Sequence, residues 1–308
     1  MLTFFTTAKP FRGHNDVIQR NALKSWTLLD PDVQVILFGD DEGAAEVAAE
    51  LGIWHESQVE RTEFGAMRLD SMFGKAQVIA RHELLCYVNC DIILLGDFRR
   101  AIERVREKYR RFLMIGRRWD APITEPVDFS DPSWEHNIRA FALSTNQQRG
   151  EWWIDYFAFS RGTFGSDIRP LGIGRYWWDH WLVARALDLK STVVDASRVV
   201  IAVHQNHDYN HHPKGWYGVS QGEEPQRNLG LAGGRKYLRY IAHATREFAP
   251  NGQIRSTWVR RTRWEMERMR ENIALRLWYP LLNSTYSLRH AVGLNRKGIS
   301  HSRAKLGK

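Results

Sequence analysis

The segment Tyr87-Val-Asn89-Cys-Asp91-Ile-Ile-Leu sets two oxygen-bearing side chains, Asn89 and Asp91, inside an otherwise apolar stretch. Leu84 to Val88 reads as a buried strand that resumes as Ile92 to Leu95, and alternation along a strand puts residues 89 and 91 on one face. An apolar run offers a carboxylate no water, and an unpaired buried charge is costly. Something must compensate Asp91, and a divalent cation is a good candidate; a strand closing on a capped turn is the plainer alternative. Several other chemistries lack a matching motif: the chain has no Gly-x-x-x-x-Gly-Lys-Ser/Thr loop, no His-Glu-x-x-His and no Cys-x-x-Cys.

The elements that must position Asp91 alternate in type. Thr3 to Thr7 reads as a first strand, followed by the polar turn Lys9-Pro-Phe-Arg-Gly13. Asn15 to Leu29 carries Val17, Ile18, Ala22, Leu23, Trp26 and Leu29 at helical spacing, with Pro31 just beyond. Val33 to Phe38 is a second strand closing on Gly39-Asp-Asp-Glu-Gly43, Ala44 to Leu51 a short Ala-rich helix, and Gly52-Ile53 the opening of a third strand. Ser71 to His82 is helical and leads into the strand that ends near Asp91. This order predicts a parallel, doubly wound α/β sheet with right-handed crossovers. Ligands bind such sheets at the carboxyl ends of the strands, where Thr6, Thr7, Asp40 and Asp91 all fall. Further strands are expected at 112–115 and 156–159, with 117–150 between them as a long polar loop or lid.

The Asn89-x-Asp91 segment resembles the Asp-x-Asp signature of GT-A glycosyltransferases, with Asn89 in place of the first Asp. The resemblance extends over several motifs between about residues 2 and 230. It implies a GT-A type, Rossmann-like, mostly parallel sheet with helices on both faces. It also implies an enzyme that moves a sugar from a nucleotide diphosphate sugar to an acceptor hydroxyl, with Mn²⁺ or Mg²⁺ as cofactor. Asp91 would then hold the metal, helped by Asn89 or with Asn89 on the donor ribose or sugar. His204, leaving the expected strand 199–203, would complete the metal site, with His207 and His212 as further candidates. Thr6, Thr7 and Asp40 would contact base and ribose, and Arg68, Asp70 and Lys75 precede the metal strand at the interval of ribose and phosphate contacts. In Trp177-Trp178-Asp179-His180-Trp181, Asp179 would activate the acceptor near the start of a helix continuing through 182–189, a position that favours its ionised form. Trp177, Trp178 and Trp181 would face sugar rings, and His180 would stand beside the acceptor. Asp155 would bind donor or acceptor sugar, and Lys214 the diphosphate. A metal-dependent phosphodiester or diphosphate hydrolase and a non-catalytic carbohydrate-binding protein are the alternatives.

Composition sets the remaining bounds. The 308 residues, 43% apolar and 26% charged, suit one large α/β domain or two small ones. No apolar run approaches the roughly 18–20 residues of a membrane span, and Met1-Leu-Thr-Phe-Phe has neither a basic leader nor a cleavage site, so no signal peptide is expected. Cys86 and Cys90 would lie about 13 Å apart in one strand, too far for a disulfide, which suits a reducing, cytoplasmic setting. The net charge of +9 belongs to the C-terminal part, where 235–308 holds 17 Lys and Arg against 4 Asp and Glu. That asymmetry argues against a nucleic-acid-binding core. It divides the chain into a domain over 1–234 and a basic helical extension over 235–308, with a helix over 257–282 and disorder over 295–308. The extension suggests a peripheral contact with an anionic membrane surface or with the domain itself.

Overall fold

Short runs of aromatic and branched residues between polar turns become the central strands, because both faces of a parallel sheet are covered. The computed structural model describes residues 2–208 and 214–258, with Thr262 and Met266 beyond them. In chain order come β1 (Thr3–Thr7), α1 (Gly13–Thr27), β2 (Gln34–Phe38), α2 (Ala44–Leu51), β3 (Trp54–Glu56), α3 (Leu69–Ile79) and β4 (Leu84–Val88). β5 (Ile92–Ile93), α4 (Gly96–Lys108), β6 (Phe112–Ile115), β7 (Arg118–Ala121), α5 (Trp134–Ser144) and β8 (Tyr156–Ser160) follow. The order closes with α6 (Trp178–Asp188), β9 (Thr192–Asp195), β10 (Ala202–Gln205), α7 (Gly215–Ser220), α8 (Glu223–Leu231), β11 (Arg246–Phe248) and β12 (Ile254–Ser256).

Nine strands form one sheet in the order β12-β11-β9-β6-β8-β4-β1-β2-β3. β8 runs antiparallel to both its neighbours, and β12 runs antiparallel to β11; the other pairings are parallel. Alternate residues feed two apolar layers. Phe4, Leu37 and Cys86 face Trp26, Val47 and Phe98 of α1, α2 and α4. Phe5, Ile36 and Tyr87 face Phe73 of α3 and Trp178 and Trp181 of α6. The expected doubly wound α/β architecture is therefore present.

A second, three-stranded sheet in the order β5-β10-β7 sits beside the end of β4. In it His204 of β10 stands opposite Ile92 on one side and Asp120 on the other. Trp26 ties α1 to this sheet by donating from Nε1 to the Ile92 carbonyl at 2.9 Å.

Several expectations shift. The apolar stretch is not one strand broken by two polar residues: β4 ends at Val88, and residues 89–91 turn, with the Ile92 amide donating to the Asn89 carbonyl at 3.1 Å. The third strand starts at Trp54 because Gly52 has left-handed φ of 65° and closes α2. Residues 117–150 contain β7 and α5, which pack apolar residues such as Ala121 and Ala142 into a small third core. His204 lies within a strand instead of after one, since Val199 and Val200 are held in a turn by the Ala196 carbonyl.

The boundary expected at 234/235 moves to 258. Residues 246–256 form β11 and β12 and extend the main sheet through β9, so the chain divides into Met1–Trp258 and Val259–Lys308. The extension beyond Trp258 and the disorder expected over 295–308 fall outside the described residues, apart from Thr262 and Met266. Cys86 and Cys90 are buried and unlinked. No helix among the described residues is long and apolar enough to cross a membrane.

The Trp26 bond yields a stability test. Trp26→Phe keeps the ring in the core but leaves the Ile92 carbonyl without its donor, so denaturant unfolding is expected to show a loss of about 1–3 kcal/mol.

Candidate active site

A cavity of about 620 Å³ opens where β1, β2 and β4 end. Its walls include Thr7 and Lys9 after β1, Asp41 after β2, Asn89 to Asp91 after β4, and His204 and His207 from β10 and the residues after it. Across the cavity lie Trp152 to Asp155 before β8 and Arg175 to His180 at the start of α6. Short loops at the ends of packed strands hold these groups, as expected of ligand sites in parallel sheets.

Asp91, His204 and His207 form the most concentrated group. One potential ligand atom from each lies within 4.8 Å of the other two. His207 Nε2 is 3.0 Å from Asp91 Oδ2, and His204 Nε2 is 3.9 Å from the same oxygen. Asp91 Oδ1 is buried and bonded to nothing among the described residues. Burial alone would raise the Asp91 pKa, but His204, His207 and Lys9 overcome it and hold the carboxyl well below its ordinary range. A carboxylate with two imidazoles is a donor set that Mn²⁺ and related ions accept, and the orphaned oxygen faces a need that a cation would meet.

Asn89 serves a different neighbour. Its Nδ2 donates to Asp155 Oδ1 at 2.8 Å, while its Oδ1 accepts from the Tyr87 hydroxyl at 3.1 Å. Asp155 also accepts from Arg118 at 2.9 Å, and its Oδ2 is buried without a hydrogen bond. Arg118 packs over Trp153 at 4.6 Å and donates through Nε to Asp120 Oδ1 at 2.9 Å. Neither Arg118 nor Asp120 carries a sequence signal: each is a polar residue in a short strand, explicable only by its partner.

Lys9 likewise becomes visible only in three dimensions. Gln19 holds its backbone by accepting from the Lys9 amide at 2.6 Å and donating to its carbonyl at 2.9 Å. The ammonium lies 3.3 Å from His207 Nε2. Burial lowers the Lys9 pKa, opposed by the charge of Asp91.

Asp179 occupies the first turn of α6, its side chain 21% exposed and its Oδ1 buried without a hydrogen bond among the described residues. Burial raises its pKa, His180 lowers it, and the nearby Asp155 charge adds to the rise. The expected ease of ionisation at a helix start is thus outweighed by desolvation. His180 Nε2 lies 3.1 Å from the Trp152 carbonyl, leaving Nδ1 without a bond. The residue before the helix, Trp177, has φ of 89°, a left-handed conformation that costs a non-glycine residue about 1–3 kcal/mol. Trp178 packs against Tyr87 and Phe157 with 4% exposure, and Trp181 is buried as well, so these two rings are chiefly core.

Other sequence candidates are placed elsewhere. Thr6 is buried and donates to the Val88 carbonyl at 2.6 Å, joining β1 to β4, while Thr7 lines the cavity. Asp40 is exposed and pairs with Arg61 at 2.5 Å; its neighbour Asp41 is the one that lines the cavity. Arg68 and Asp70 pair with each other at 2.6 Å, and Lys75 pairs with Glu56 at 3.1 Å; none of the three is in the cavity wall. Lys214 is exposed at the start of α7 and outside the wall, and His212 lies outside the described residues.

No family model and no curated protein matches this chain. Among solved structures it is similar to glucosyl-3-phosphoglycerate synthase from Mycobacterium tuberculosis, in complex with Mn²⁺, uridine diphosphate and phosphoglyceric acid. That likeness has 13% identity and a TM-score of 0.46, covering 76% of this chain and 79% of that one. It is also similar to TarS residues 1–349 from S. aureus in complex with UDP-GlcNAc, at 10% identity and a TM-score of 0.45, covering 67% of this chain and 58% of that one. At such low identities and scores, the functional reading rests on this chain's own residues.

The buried Asp179 carboxyl provides a measurable sign. Its folded pKa is raised, so ionisation penalises the native state above the folded pKa and the penalty vanishes below the ordinary Asp value of about 3.9. Asp179→Asn is therefore expected to melt at a higher temperature than the wild type at pH 7. The difference should shrink toward zero as the pH falls below about 4. A variant that melts lower at pH 7 would contradict the desolvated carboxylate.

Proposed function

We propose that the protein is a glycosyltransferase that moves a sugar from a nucleotide diphosphate sugar to an acceptor hydroxyl with the help of Mn²⁺ or Mg²⁺. One observation carries this reading: the Asp91–His204–His207 group and the desolvated Asp179 line one cavity at the carboxyl ends of a parallel sheet. A site for leaving-group charge and a base for an incoming hydroxyl are the two parts that glycosyl transfer needs.

Asp91, His204 and His207 would hold the cation, whose chemistry is to stabilise negative charge on the departing diphosphate. Lys9, in the same wall, is a basic group beside it. Asp179 would accept the proton of the acceptor hydroxyl as that oxygen bonds to the sugar's anomeric carbon and the diphosphate departs with the bonding electrons. A raised pKa makes a carboxylate a stronger base, which suits this task. Asp155 Oδ2, buried without a bond, would accept from a sugar hydroxyl, and His180 Nδ1 is available to the acceptor. Thr7, an expected nucleotide contact, lines the cavity, as does Asp41 next to Asp40.

The setting is proposed as cytoplasmic, with the basic segment 259–308 contacting an anionic membrane surface. Its 12 Lys and Arg against 3 Asp and Glu support this reading, since basic residues near such a surface each contribute about 1 kcal/mol. Full-length protein is expected to co-sediment with anionic liposomes more than protein ending at Trp258; equal sedimentation would exclude the contact.

For the reaction, Asp91→Ala is expected to abolish Mn²⁺-dependent turnover across a panel of nucleotide sugars while the thermal melt stays cooperative. Full activity would overturn the cation site. Lys9→Met is expected to weaken binding of UDP, GDP or ADP at least about tenfold, on the order of 1.4 kcal/mol, but to spare the nucleosides. Sugar released to water with no acceptor product would favour a metal-dependent diphosphate hydrolase.

A further inference from the structure

We infer that Asp120 is a positioning residue for His204, fixing which ring nitrogen turns toward Asp91. The inference rests on the reading of Asp91, His204 and His207 as a cation site. The parallel pairing of β7 with β10 puts Asp120 directly opposite His204. Asp120 Oδ1 is 3.3 Å from His204 Nδ1, while the other ring nitrogen, Nε2, faces Asp91 Oδ2 at 3.9 Å. Nδ1 is buried and makes no hydrogen bond within the described residues, so the Asp120 carboxylate is the acceptor that faces it at close range. The two side chains are 3% and 9% exposed, so water does not compete for the contact.

Asp120 cannot easily turn away. Arg118 Nε donates to its Oδ1 at 2.9 Å, and Arg149 Nε donates to its Oδ2 at 2.5 Å. A neutral imidazole has one N–H and one lone pair, and a carboxylate accepts only. Carboxylates face both ring nitrogens, but Asp120 is the nearer, at 3.3 Å against 3.9 Å for Asp91, and is braced by two arginines, which favours the proton on Nδ1 and the lone pair on Nε2. A carboxylate behind a metal-binding histidine also raises the basicity of the ligating nitrogen. Arg118 carries the same constraint further, since its second nitrogen holds Asp155, which in turn holds Asn89.

Two measurements test this, one of them independent of any metal. In ¹⁵N-histidine spectra recorded about two pH units above the ordinary histidine pKa, wild-type His204 is expected as the Nδ1–H tautomer. The signal is assigned by its loss in His204→Gln. Asp120→Asn is expected to give a mixed or Nε2–H tautomer with the thermal melt still cooperative. A wild-type ring protonated on Nε2 would overturn the inference whatever the site binds.

The second measurement is Mn²⁺ affinity by electron paramagnetic resonance. Asp120→Asn is expected to weaken it about 10–100-fold, with no further loss when His204 is already Gln. Losing a nearby negative charge would by itself weaken Mn²⁺ equally in both backgrounds, so equal losses would overturn the inference. If the wild type binds Mn²⁺ and Asp91→Ala does not, but Asp120→Asn binds normally, the cation site stands and the role of Asp120 falls. If the wild type binds no Mn²⁺, the cation reading falls with it.

Discussion

Asp91 stands where β4 leaves the main sheet, its side chain 15% exposed and one oxygen bonded to nothing described. Removing a charge from water costs several kcal/mol even after relaxation. Burial therefore has to be outweighed by neighbours, and the depressed Asp91 pKa reflects three of them: His204, His207 and Lys9. These arrive from β10, from the loop after it and from the turn after β1. The sheet order thus has a consequence for charge, because bringing β1 beside β4 and β10 beside β5 assembles the groups that keep Asp91 ionised.

The second constraint is Arg118. Its side chain is only 8% exposed, and it sits between two carboxylates, Asp120 and Asp155, with its guanidinium over Trp153. A guanidinium in this position joins the small sheet to the turn before β8, and through Asp155 to Asn89. Planar, multiply donating arginine suits this task, and lysine could not hold both acceptors in fixed directions. Asn89 thereby takes on a different meaning from the one its sequence neighbourhood suggests. Its amide is engaged by Tyr87 and Asp155, so it braces the wall beside Asp91.

The sequence reveals those parts of the fold whose signals are local. β1, β2 and β4 and their helices follow from apolar periodicity, and Asp91 and Asp179 stand out as carboxylates amid apolar or aromatic neighbours. The rest depends on pairing between distant segments. β7 reads Arg-Trp-Asp-Ala, a polar strand that makes sense only once Arg118 meets Asp155 and Asp120 meets His204. Lys9 lies in a turn like many others until Gln19 orients it. Conversely, Arg68 and Asp70 are two residues apart and satisfy one another, and Asp40 is taken by Arg61. Position at a strand end therefore did not bring Asp40 into the cavity, and spacing before β4 did not bring Arg68 or Asp70 there.

The cavity wall also holds much of the structure's local cost. Most buried side-chain atoms without a hydrogen bond among the described residues belong to groups that line it, including Asp155, Trp177, Asp179 and His180. Each such atom costs about 1–3 kcal/mol, and the left-handed Trp177 backbone adds a comparable amount. Against a typical total stability of about 5–15 kcal/mol these are large sums to leave in one place. Trp177 is held there by its neighbours: its ring meets Tyr176 and lies under Arg235, while its carbonyl receives the first bond of α6 from Trp181. A wall that stays strained and under-bonded, yet is locked by packing behind it, is poised to gain hydrogen bonds when a polar ligand enters. A molecule rich in hydroxyls offers donors and acceptors in the density this wall lacks, and would satisfy atoms that the fold itself leaves without hydrogen bonds.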